Sequence, residues 1–151
     1  MTTIEDSISA GPGPNIARTL EIWHRIVAAR DPAELPSIIA DDVVFRSPAF
    51  FKPYPGREAI LLVLGTVLGV FEDFTYHREF LSLDGHSVIL EFSARIGDKR
   101  LKGVDIFRFD ADGLIVEMEV MVRPGNALMA LAQTMAERAG PGLKALLAGA
   151  S

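Results

Sequence analysis

The sequence predicts an α+β fold in which one curved antiparallel sheet wraps, as a cone, around helices. Three observations predict it. Helical periodicity occupies the first half of the chain and two-residue alternation the second. The stretch 103–124, GVDIFRFDADGLIVEMEVMVRP, reads as two strands joined at Asp110-Ala111-Asp112-Gly113, where Gly113 supplies the positive φ that closes a hairpin. The stretch 57–72 is apolar nearly all round, as a helix buried on more than one side would be.

In chain order, residues 1–14 form a lead of Thr, Ser, Gly and Pro with isolated aliphatics, set apart from a domain over 15–140 and a tail over 141–151. Asn15 is placed to cap a first helix whose buried stripe is Ile16, Leu20, Trp23 and Val27. A second, short helix is expected from Asp31, with Pro32 in its first turn, Asp31 and Glu34 at capping-box spacing, and Asp41-Asp42 at its end. Val43 to Arg46 is a short strand that stops at Ser47-Pro48, and the loop 49–56, with Phe50, Phe51 and Tyr54, suits a pocket mouth. Helix three follows, with Gly65 and Gly69 four apart as a thin stripe for close packing.

Strands are then expected over 74–83, 87–96 and 100–109, before the hairpin's second strand. Pairing Ile96 with Lys99 puts Val88, Leu90, Phe92 and Ala94 on the same face as Gly103, Asp105, Phe107 and Phe109. Met118, Val120 and Val122 join that face from the last strand, so Asp105 is the one acid on the core side of the hairpin. Both alternations of 74–83 carry aromatic or aliphatic residues, so its facing stays open. The opposite face holds Glu91, Arg95, Arg100, Lys102, Arg108, Glu117 and Glu119, with Ile106, Ile115 and Met121 scattered among them. That outer face is the expected homodimer surface. A last helix follows Asn126 and ends at Gly140-Pro141.

At 151 residues the chain is one domain of ordinary size, with 49% hydrophobic and 23% charged residues and no cysteine. The absence of cysteine removes disulfides, thiolate nucleophiles and cysteine-bearing metal motifs. A net charge of −5 with scattered basic residues argues against nucleic acid or an anionic membrane as partner and for a small, largely apolar ligand. The longest apolar run, 59–71, is too short to span a bilayer, and the N-terminus does not read as a secretory signal, so the cytoplasm is the expected location. His24 lies three residues after Glu21, but no second such pair completes a metal site; no phosphate-binding loop occurs either, so no metal and no cofactor are expected.

Four features then carry a resemblance over residues 15–138: Ala40-Asp41-Asp42, Ser47-Pro48 with Gly56, the strand Val104-Asp105-Ile106-Phe107-Arg108-Phe109, and Gly113. Their order and spacing resemble the nuclear transport factor 2-like fold, also called cystatin-like, in its SnoaL-like and ketosteroid isomerase branch. The resemblance implies a cone-shaped pocket and a cofactor-independent isomerase or cyclase. It puts Asp105 where the isomerases carry an aspartic acid that donates a hydrogen bond to a dienolate oxygen. The physics is general: an apolar site disfavours the carboxylate, so the acid keeps its proton. The same resemblance places the isomerases' tyrosine donor at Trp23, their general base at Ser47, and the cyclases' acid at Val120.

The candidate catalytic residues are therefore Asp105 as donor and His77 as base, since His77 lies on the strand of open facing. The candidate ligand-binding residues are Trp23, Ser47, Phe92, Gly103, Phe107, Met118, Val120 and Val122. Three readings separate on the cone. An open cone with His77 beside Asp105 indicates catalysis, an open cone without His77 indicates binding, and a filled cone indicates a protein-interaction module.

Overall fold

The computed structural model describes residues 11–149, so the expected lead is described only from residue 11 onward. Helix α1, Pro14–Ala29, buries Ile16, Leu20, Trp23 and Ile26. Gly13, not Asn15, holds the cap position; Asn15 instead donates from Nδ2 to the carbonyl of Ala111 at 3.2 Å. The short helix expected from Asp31 shrinks to a 3-10 turn, Leu35–Ser37. Pro36 explains this, because a proline past the first turn has no N–H to continue the ladder. Nor does the capping box form. Asp31 accepts from the backbone N–H of Ala33 at 3.0 Å, while Glu34 pairs with Arg25 at 2.9 and 3.0 Å.

Strand β1 runs Ile39–Arg46 and takes in Asp41-Asp42; β2 is the two-residue Tyr54–Pro55, and helix α2 is Arg57–Val67. The meander follows as β3 Glu72–Leu81, β4 Ser87–Ile96, β5 Lys99–Phe109 and β6 Ile115–Arg123, and helix α3 is Gly125–Gly149. The sheet order is β2-β1-β6-β5-β4-β3. The meander is antiparallel as expected, but β1 joins β6 in parallel, so the sheet as a whole is mixed. Ile96 pairs with Lys99 and Ala94 with Leu101, the expected register, which brings Asp105 between Leu90 of β4 and Val120 of β6.

Bulges bend this sheet and change which residues face inward. In β6 the register passes from Arg108 opposite Glu117 to Phe109 opposite Ile115, leaving Val116 as the extra residue. Ile115 thereby turns inward and is buried in the core, so it leaves the expected outer-face set. In β3 a second irregularity follows Tyr76, and Phe74 and Tyr76 face the cone.

Close approach occurs elsewhere than at Gly65 and Gly69. A Cβ at Gly65 would meet only ordinary contacts with Pro32, whereas one at Gly103 would collide with the Phe92 ring and the Met121 carbonyl. Gly103 lies opposite Phe92 in the register, and its missing side chain is what lets that ring lie flat on the sheet. Helix α3 passes through Gly140-Pro141, the expected stop, and the residues to Gly149 continue as helix. Ala127, Leu131 and Ala139 bury its inner side. Gly142 sits close against Leu62 of α2, where a Cβ would approach to 2.8 Å. The sheet forms one wall of the interior and the three helices cover its concave face.

Candidate functional site

The cone is open. A cavity of about 660 Å³ lies between the sheet, the C-terminal half of α1, α2 and α3, and its lining is mostly apolar. Asp105 lies on the cavity wall contributed by β5 and is 5% exposed. The alternation of β5 puts it there, with Phe107 and Phe109 beyond it filling the core.

A chain of three side chains holds this acid. Trp23 Nε1 donates to the Tyr76 hydroxyl at 2.8 Å, and that hydroxyl donates to Asp105 Oδ2 at 2.6 Å. Tyr76 Oη is the carboxyl's one hydrogen-bond partner among the described residues. Rings fix the tyrosine in turn: Phe74 and Phe92 meet it edge-on at 4.8 and 6.3 Å, and Phe107 meets Trp23 edge-on at 5.2 Å. Burial pushes the Asp105 carboxyl up to about 7, and the bond from Tyr76 offsets part of that rise. Burial, then the neighbouring Asp105, drive the Tyr76 phenol well above its usual range. The outcome is a carboxylic acid that keeps its proton below about pH 7, with its position set by a phenol that stays neutral.

Of the expected ligand-binding residues, Trp23, Ser47, Met118 and Val120 line the cavity together with Asp105. Phe92, Gly103, Phe107 and Val122 do not. Phe92 and Phe107 are fully buried in core packing on the same inward face beside the cavity, Gly103 lies under Phe92, and Val122 packs with the Phe92 cluster toward the end of the sheet. Ser47 accepts from the N–H of Ala49 at 3.0 Å at the start of the mouth loop. His77 lies outside the cone, exposed and hydrogen-bonded to Ser93 Oγ at 2.7 Å, so it cannot serve a ligand beside Asp105. Strand alternation sends it outward because Tyr76 points in.

Three contributions escaped sequence reasoning. Tyr76 was hidden because one alternation of its strand carries the aromatics Phe74, Tyr76 and Phe80 and the other the aliphatics Leu81 and Leu83. His24 lies on the cavity rim, edge-on to Tyr76 at 5.2 Å, where its helix position beside Trp23 gave the available signal. The inner side of α3 lines the cavity from Leu128 to Leu143. Among the described residues no group of three or more His, Asp or Glu side chains converges as a metal site, and no helix is long and apolar enough to cross a membrane.

The SnoaL-like domain model matches residues 20–118, from α1 into β6. The chain belongs to the SnoaL-like family. Its structure is similar to that of a steroid delta-isomerase from Pseudomonas aeruginosa, with 51% identity, a TM-score of 0.82, and coverage of 91% of this chain and 97% of that one. It is also similar to an uncharacterised bacterial protein with a cystatin-like fold from Silicibacter pomeroyi DSS-3, with 35% identity, a TM-score of 0.73, and coverage of 83% and 84%. A third likeness, at 23% identity and TM-score 0.62, is to an NTF2-like protein of unknown function from Mesorhizobium loti, covering 75% of this chain and 97% of that one, and concerns the fold alone. No curated protein matches the chain in sequence. For this SnoaL-like chain the cystatin-like, NTF2-like architecture is thus supported by both sequence and shape.

Proposed function

We propose that this SnoaL-like protein binds a small, largely apolar carbonyl or phenolic compound in the conical cavity, with the ligand oxygen accepting a hydrogen bond from the protonated Asp105 carboxyl. The observation that carries this reading is a buried acid at the wall of an open apolar cavity, oriented by Tyr76 and Trp23, with burial pushing its carboxyl up to about 7. Apolar lining supplies most of the binding free energy, and one well-placed donor fixes orientation. The ionised carboxyl cannot donate, so affinity for an acceptor ligand falls as pH rises through about 7.

The test is calorimetric titration with 2-naphthol and a steroidal enone between pH 5 and 9. Asp105→Asn keeps a donor that does not ionise and is expected to bind with no pH dependence over that range. Asp105→Leu is expected to weaken binding by about tenfold or more, the cost of one charged-group or buried donor contact. Equal affinity in wild type and Asp105→Leu at pH 6 would remove Asp105 from the site.

The 51% identity with a steroid delta-isomerase favours a second reading, in which the bound ketone is also isomerised. Donation from Asp105 would stabilise the dienolate oxygen as charge develops there. Ser47 has no basic neighbour to take up the carbon-bound proton, and His77 is outside; in this reading His24, the histidine among the cavity-lining residues, accepts it and returns it to the distal carbon. A β,γ-unsaturated ketosteroid would gain conjugated near-ultraviolet absorbance in the wild type and do so far more slowly in His24→Gln. Binding without conversion would leave the first reading and sink this one.

A further inference from the structure

Helix α3 begins at Gly125, past the last residue that the family model matches, yet its inner side closes the cavity opposite α1. Three of its lining residues are small and lie four apart: Ala132, Ala136 and Gly140. That spacing stacks them in one row on the helix. Open space stands over the row's end, since a Cβ added at Gly140 meets nothing within 4 Å. Ala136 is exposed at the mouth, while Ala132 and Gly140 are half-buried further along. The helix carrying the row is a fixed wall. Ala127 and Ala139 are almost fully buried, Gly142 is pressed against Leu62 of α2, and Arg138 Nη1 donates to the Gly69 carbonyl at 3.3 Å.

We propose that Ala132, Ala136 and Gly140 are the specificity-determining positions of the cavity: their missing side chains set the width of ligand that can pass to Asp105. The inference rests on the binding reading above and adds to it a residue-level basis for choosing between wide and narrow ligands. A row of large side chains would narrow the passage without touching the Trp23, Tyr76 and Asp105 chain. A rigid wall cannot yield to an oversized ligand, because packed helices move little against a close glycine contact. Width selection therefore follows from side-chain volume on one helix face.

The test is calorimetric titration of a two-ring phenol, 2-naphthol, and a four-ring phenol, estradiol, on wild type, Gly140→Leu, Ala136→Leu and the off-row control Gln133→Leu. Gly140→Leu and Ala136→Leu are expected to weaken the four-ring phenol by about tenfold or more and the two-ring phenol by less than about threefold, the scale of a few methylenes in an apolar pocket. Gln133→Leu should change neither. Should a leucine variant lose its helical circular dichroism, Gly140→Ala, which favours the helix, should still show the four-ring probe weakened more than the two-ring probe. Equal weakening of both probes, no weakening of either, or a wild type that takes the two-ring probe and refuses the four-ring one would each overturn the width assignment while leaving the binding reading. A wild type that binds neither probe would overturn the binding reading and the width assignment with it.

Discussion

Two acids on neighbouring strands show how one sheet treats its two faces. Asp105 on β5 faces the cone at 5% exposure, and Glu91 on β4, opposite Val104 in the register, faces outward at 7%. Their exposures are nearly equal and their charge states are opposite. Glu91 is gripped by Arg78 at 2.9 and 2.5 Å and by Lys102 at 3.4 Å, and these cations, with the Arg78 bonds foremost, hold its carboxyl down to about 2. Asp105 has a phenol for a partner, which bonds the carboxylate without neutralising it, so burial dominates and its carboxyl rises to about 7. The chemistry of the partner, and not the degree of exposure, decides which of the two acids is held ionised and which keeps its proton.

The comparison makes opposite predictions for stability against pH. Asp105 has a folded pKa raised above its ordinary 3.8, so the native state holds the extra proton between about 4 and 7. Stability contributed by this group therefore falls as pH rises through that window and stays low above it. The largest expected effect is on Asp105→Asn, which removes the penalty: at pH 8 the variant should be more stable than wild type by up to ~4 kcal/mol, at about 1.36 kcal/mol per pKa unit, with the gain vanishing near pH 4. Urea unfolding at the two pH values measures it, and equal stabilities at pH 8 would break the contrast between the faces.

Tyr76→Phe comes next. It leaves the Trp23 N–H without its acceptor and deprives Asp105 of the bond that restrains its rise, so it should cost about 1–3 kcal/mol of stability at pH 5. The pH at which affinity for 2-naphthol falls should also move upward, which a purely structural role for Tyr76 would not produce. Glu91→Gln should destabilise less, because Arg78 is two-thirds exposed and water screens the pair. Its sign is the reverse of that at Asp105: with a folded carboxyl near 2, the Glu91 contribution is present above its ordinary 4.5 and lost as pH falls toward 2. The smallest effect is ionic. Raising salt to about 0.5 M should lower stability through the Arg78–Glu91–Lys102 cluster and leave the titration midpoint of Asp105 nearly unmoved. A midpoint that followed salt as strongly would place Asp105 in contact with solvent charges.

Much of this contrast was legible in the residues. Alternation around Asp110-Ala111-Asp112-Gly113 placed Asp105 and Glu91 on opposite faces, and the Ile96–Lys99 turn set the register that the structure shows. What alternation could not supply was the bulges. One, after Tyr76, concealed the residue that orients Asp105; another turned Ile115 into the core. Both are one-residue irregularities without a glycine or proline to mark them. Local spacing misled at Asp31 and Glu34, whose side chains found an Asx-type turn and Arg25 rather than a cap, and at Gly140-Pro141, where tertiary packing of α3 outweighed the stop signal. Trp23 and Ser47 were readable as cavity-lining residues because each lies where helix or loop meets the cone. Phe92, Gly103, Phe107 and Val122 share the inward face of the sheet, but the cavity occupies part of that face and core packing takes the rest.

The central claim is that Asp105 is a neutral hydrogen-bond donor in an apolar cavity. Carbon-13 NMR of the carboxyl groups, with Asp105→Asn assigning the signal, measures this directly. The account predicts an Asp105 resonance that titrates near pH 7 in the free protein and at higher pH when a phenol is bound, while Glu91 titrates near 2. An Asp105 carboxyl already ionised at pH 5, unmoved by ligand, would contradict it.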